Sequence, residues 1–180
     1  LDEAALTAQA PAARQDGRRA LRLDAAVFIC GAVVMALELS GARIIAPYLG
    51  TSIFIWTSII GVILACLSIG YWWGGRLADT KASWGLLSVL ILGASASAAV
   101  IVLLHYPVLV ILSTRVVDLR ISGLIAALCL FAAPSVFLGA VSPMAVRLSL
   151  NDLQHSGSAV GRLYALSTIG SLLGTFGCGF

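Results

Sequence analysis

Residues 53–73 read Ile53-Phe-Ile-Trp56-Thr-Ser-Ile-Ile-Gly61-Val-Ile-Leu-Ala-Cys66-Leu-Ser-Ile-Gly70-Tyr-Trp-Trp73, twenty-one positions without a charged side chain. The hydrocarbon core of a bilayer, about 30 Å thick, takes about 20 apolar residues of helix. Only helices and closed barrels satisfy every backbone N–H and C=O inside lipid. A barrel strand would alternate polar and apolar positions, and this stretch does not. The reading is a transmembrane helix.

Working outward, four more runs have similar character: Asp24 to Ala46, broken by Glu38 and Arg43; Trp84 to Tyr106; Ile121 to Val141, with Pro134 inside it; and Val160 to Phe180. The fold class is therefore an all-α integral membrane protein with about five transmembrane helices. The fifth run is still apolar at Phe180, so a truncated last helix, and hence a fragment, is the expectation. Composition agrees, with 60% hydrophobic and 11% charged residues and a mean hydropathy of +1.03. A soluble domain carries about 25% charged residues, and one core of this size cannot hold the apolar excess. The formal charge of +3 is too small to read as a nucleic-acid footprint, and no nucleic-acid partner is expected. Residues 1–23 are Ala- and Arg-rich and are predicted to form a disordered basic tail. Residues 24–180 form the membrane domain.

Orientation follows from where the eleven Lys and Arg residues sit. With the N-terminus in the cytoplasm, Arg14, Arg18, Arg19, Arg22, Arg76, Lys81, Arg147 and Arg162 are inside. Arg43, Arg115 and Arg120 are outside, so the positive-inside rule favours this placement. Tyr71, Trp72, Trp73, Trp84 and Tyr164 then mark one interface, and Tyr48, Trp56 and Tyr106 the other. The longer connections are predicted at Pro107–Arg120, outside, where Val108 to Leu112 would lie in the interface, and at Arg147–Ser158, inside.

Few residues offer chemistry. Cys30, Cys66, Cys129 and Cys178 each lie in an apolar run with no C-x-x-C pair, and read as packing residues. No metal-ligand spacing, phosphate loop or Ser-His-Asp order appears, so no catalytic residue, metal or cofactor is expected in this chain. Glu38 comes about 21 Å along the first helix from Asp24, deep enough that its carboxylate must face protein or water. Arg43, five residues on, is turned about 140° away and is a poor partner for it. Two readings stand for Glu38: a structural hydrogen bond between helices, or handling of a proton or cationic ligand.

Gly74-Gly75-Arg76-Leu-Ala-Asp79 is expected to end the second helix in a tight exit, with Asp79 capping the third. Pro47 and Gly50 end the first helix. Ser167, Gly170, Gly174 and Gly177 share one face of the last helix, a close-approach surface for this bundle or for another membrane subunit. Gly93 with Ser97, and Gly61 with Ala65, offer similar faces. Pro134 and Pro143 should kink or loosen the fourth helix.

The string Gly75-Arg-Leu-Ala-Asp79 is similar to the loop between the second and third helices of major-facilitator transporters. Thr80 departs from it, standing where those proteins carry a basic residue. A wider set of strings resembles the N-terminal membrane domain of bacterial membrane-anchored spermidine synthase-like proteins, described as fused major-facilitator/spermidine synthases. It comprises Glu38-Leu-Ser-Gly-Ala-Arg43, Ala46-Pro-Tyr-Leu-Gly50, Trp56, Gly70-Tyr-Trp-Trp-Gly74-Gly-Arg-Leu-Ala-Asp79, Ser142-Pro-Met-Ala-Val-Arg147 and Gly161-Arg-Leu-Tyr-Ala through Gly174, across residues 28–180. The resemblance implies a multi-pass domain of the bacterial inner membrane. It also implies a soluble aminopropyltransferase-like partner domain downstream, using decarboxylated S-adenosylmethionine and putrescine. Nothing in these residues supplies that domain. An anchoring, transport or sensing role for a cationic substrate is the expectation, with Glu38 and Asp79 as acidic groups and Arg43 and Arg76 beside them. A major-facilitator-like fragment and a structural subunit are the alternatives.

Overall fold

The computed structural model describes the backbone of residues 3–116, 118–150 and 156–180, and the side chains of these apart from 3–16, 18 and 156. The described residues form five α-helices: α1 (Glu3–Leu49), α2 (Ile53–Lys81), α3 (Trp84–Arg115), α4 (Leu119–Ser149) and α5 (Ser156–Gly179). Four of them, α1 to α4, are long and apolar enough to cross a membrane. The glycines, serines and threonines of α5 dilute its apolar content, and it falls short of that measure.

Local chemistry sets the breaks. Gly50 takes a positive φ of 81°, and its N–H donates to the Ala46 carbonyl at 2.9 Å. This is the left-handed C-terminal cap that glycine adopts without penalty. Ser52 then caps α2 by accepting from the Ile55 amide, and Asp118 caps α4 by accepting from the Arg120 amide at 2.9 Å. The turns are short, so successive helices run in alternating directions. Gly31 facing Ser167, Phe28 facing Gly170 and Ala32 facing Gly174 put α1 and α5 parallel. Ile55 facing Gly123 and Leu67 facing Gly139 do the same for α2 and α4.

Helix α4 is the hub and touches the other four. Phe131, Ile45, Ile55, Ile59 and Ile63 fill the core toward the Gly50 end, while Leu23, Val27, Leu90, Val141, Met144 and Leu163 fill it toward the Asp24 end. The outward faces carry large apolar side chains such as Leu64, Leu92, Leu103, Leu128 and Leu172. In lipid such faces cost nothing, and association rests on close van der Waals packing instead.

Several boundaries differ from those expected. Helix α1 begins at Glu3, so most of the tail expected to be disordered is helical. Pro47 lies in its last turn rather than beyond it. Helix α2 runs on through Gly74, Gly75 and Asp79 to Lys81, and Ser83, not Asp79, caps α3, accepting from the Leu86 amide at 3.2 Å. The reason is packing: Gly74 and Ala78 are buried, and α2 keeps its contact with α4 by staying helical. Helix α3 continues through Pro107 to Arg115, over the segment expected as an outer connection. An interior proline costs about 3 kcal/mol. Beyond it Leu109 and Leu112, 0% and 7% exposed, pack into the core, and those contacts are kept only while the helix stays continuous. Helix α4 likewise runs to Ser149 through Pro134 and Pro143. Of the polar connection expected at 147–158, residues 151–155 lie outside the described residues.

Candidate functional site

Glu38 sits in α1, seven residues beyond Gly31, which faces α5, and three before Gly41, which faces Phe131 of α4. Its side chain is half-buried and makes no hydrogen bond or ion pair to any described residue. Arg43 turns away from it, and its Nη2 donates to the Gly179 carbonyl of α5 at 3.2 Å. The expected geometric mismatch between the two is what the structure shows, and Arg43 ties α1 to α5. Asp79 and Arg76 do not pair either. Asp79 is exposed, and the Arg76 guanidinium lies 4.0 Å above the Trp72 ring, one turn back on α2.

The glycines divide by location. A Cβ on Gly74 would lie 2.5 Å from the Ala140 Cα, and one on Gly139 2.6 Å from the Leu67 carbonyl oxygen. Real Cβ atoms do not come so close, so α2 and α4 meet here backbone to backbone. Gly170 and Gly174 meet the backbone of Phe28 and Ala32 in the same way. The glycine face of the last helix is thus covered by α1 over most of its length. Gly177 and Gly75 face open space, as does Gly61, which lines an apolar groove between α2 and α4. Gly93 receives the Phe137 ring of α4.

Three features had no clear signal in the sequence. Asp24 is paired across the bundle with Arg162, Oδ1 to Nη2 at 3.4 Å, in a contact not aligned as a hydrogen bond. The Ser171 hydroxyl donates to the Gly31 carbonyl at 3.1 Å, from α5 to α1. A cleft of about 790 Å³ opens at the Asp24 end between α1, α3, α4 and α5, lined by Arg19, Leu23, Trp84 and Arg162 among others. Helical spacing could have placed Arg19 and Arg22 near one another. Only the fold brings both beside Trp84, and Arg19 beside Arg162.

Among the described residues no group of three His, Cys, Asp or Glu side chains could hold a metal ion. The four cysteines are unpaired. Tyr48 and Tyr106, expected at one interface, meet edge to face with ring centroids 6.5 Å apart. No family model, curated protein or solved structure matches this chain.

Proposed function

We propose that this chain is the multi-pass membrane domain of a spermidine synthase-like protein, and that its role is to anchor the enzyme to the inner membrane with the N-terminus cytoplasmic. The observation that carries the reading is where the family-like strings fall. Gly41 abuts Phe131, Gly70 and Gly74 abut α4, and Gly170 and Gly174 abut α1. These strings hold helices together, which is what an anchor asks of them. The sorting of basic residues supports the orientation: Arg19, Arg22, Arg76, Lys81, Arg147 and Arg162 lie toward the Asp24 end, Arg43, Arg115 and Arg120 toward the other.

The test uses the whole natural protein. Conversion of putrescine and decarboxylated S-adenosylmethionine to spermidine should sediment with membranes, and should become soluble when residues 24–180 are deleted. A natural reading frame that encodes no transferase domain removes the proposal.

A second reading, handling of a cation or proton, is favoured by one observation: Glu38 is half-buried in a membrane-length helix with no partner among the described residues. Under it, Glu38→Gln abolishes cation-dependent uptake in proteoliposomes while leaving expression intact. Unchanged uptake removes Glu38 from any transport role.

A further inference from the structure

We infer that the cleft at the Asp24 end is a binding site for an anionic phospholipid, with its phosphate among Arg19, Arg22 and Arg162 and one acyl chain lying between α1 and α3. The large cleft and a neighbouring one of about 490 Å³ share Arg19 and Trp84. The first supplies Arg162. The second adds Arg22 and continues past Ala26 along Leu87, Ser88 and Ile91 of α3, a mainly apolar trough, with the Ser88 hydroxyl donating to the Trp84 carbonyl of its own helix, that leads into the membrane-length part of the helices.

The charge balance selects the ligand. Arg162 is engaged by Asp24 at 3.4 Å, whereas Arg19 and Arg22 are exposed and make no ion pair or hydrogen bond to any described residue. Guanidinium groups match phosphate oxygens in geometry as well as charge, and basic pockets between membrane helices take anionic head groups. The N-terminus of α3, beginning at Trp84, adds its positive dipole end to the same place. Trp84 has the amphipathic ring that belongs at head-group depth. A soluble anion would use the arginines and leave the trough empty. A zwitterionic lipid would fill the trough and bring an ammonium group to the arginines. An anionic phospholipid satisfies both. The inference needs the helices to cross a bilayer and is independent of any enzyme downstream, so either proposal can fail alone.

The test places the purified chain in phosphatidylcholine nanodiscs, with Trp56, Trp72 and Trp73 replaced by phenylalanine so that Trp84 alone reports. Phosphatidylglycerol brominated on its acyl chains should quench Trp84 at a far lower mole fraction than brominated phosphatidylcholine. Two arginines at about 1 kcal/mol each give a preference of roughly thirty-fold. The double variant Arg19→Gln/Arg22→Gln should quench equally with both lipids, while Arg19→Lys/Arg22→Lys keeps most of the preference. Millimolar inorganic phosphate should not restore the fluorescence. Equal quenching by the two lipids before any arginine is changed overturns the inference. So does restoration by phosphate, which would mark a soluble-anion site. If the glutamine pair fails to fold, loss of the preference in the well-folded lysine pair also counts against it.

Discussion

The two parallel helix pairs are built on the same residue and held by different forces. Where α2 meets α4, glycines come from both sides (Gly70 and Gly74 facing Gly139 and Ala140, Gly123 facing Ile55), and among the described residues no hydrogen bond or ion pair joins the two helices, whose one charged contact is the Arg120 guanidinium 4.3 Å above the Phe54 ring. Where α1 meets α5, glycines again come from both sides (Gly31 facing Ser167, Gly170 and Gly174 facing Phe28 and Ala32), but polar contacts also pin the seam at three levels. These are Asp24 with Arg162, Ser171 with the Gly31 carbonyl, and Arg43 with the Gly179 carbonyl. Lipid gives apolar surfaces no reason to leave it, so each seam needs something lipid cannot offer. One uses shape, the other adds polarity.

Substitutions can break this contrast. The largest effect belongs to the α2–α4 seam: Gly74→Leu should cost about 3 kcal/mol, the upper range for overpacking, because Ala140 is backbone-close and cannot withdraw. Detergent-resistant thermal unfolding measures it. Gly174→Leu should cost less, about 2 kcal/mol, since α5 lies at the bundle's edge and can shift outward. Equal losses at the two sites would erase the distinction drawn between the seams. Arg162→Ala should cost about 1 kcal/mol, because it leaves the enclosed Asp24 oxygen without its countercharge. Pairing it with Asp24→Asn should recover part of the loss in a double-mutant cycle. Ser171→Ala should cost about 0.6 kcal/mol, the usual worth of an interhelical hydrogen bond in membranes. Gly177→Ala, facing open space, should stay within about 0.5 kcal/mol of the parent.

Much of this architecture was legible beforehand, and what was missed has a common cause. Apolar runs measure the hydrocarbon slab rather than the helix. They locate all five helices, one more than the four that meet the measure of a membrane span, yet stop α2 at Trp73 and α3 at Tyr106, while the helices run to Lys81 and Arg115. Gly74 and Pro107 read from the sequence as helix ends because in water such residues often are. Here Gly74 is a contact point, and Pro107 is carried by the burial of Leu109 beyond it. The face of α5 bearing Gly170 and Gly174 followed from spacing alone. Which helix covers it did not, nor did the partners of Asp24 and Arg43, because those contacts join residues more than a hundred positions apart. The Glu38–Arg43 mismatch was visible from the helical period. The arginine-lined cleft was not, since it draws on four helices at once.

The pairing of the first helix with the fifth has a consequence for biosynthesis. Gly31 and its Ser171 contact are separated by 140 residues. At about 5–20 residues per second, the ribosome needs on the order of ten seconds to cover that interval. Throughout it the Phe28–Ala32 surface of the nascent first segment is without its permanent neighbour, next to the insertion machinery and to any other newly made helix. Delayed maturation, rather than failed insertion, is the defect to look for when that late encounter is impaired.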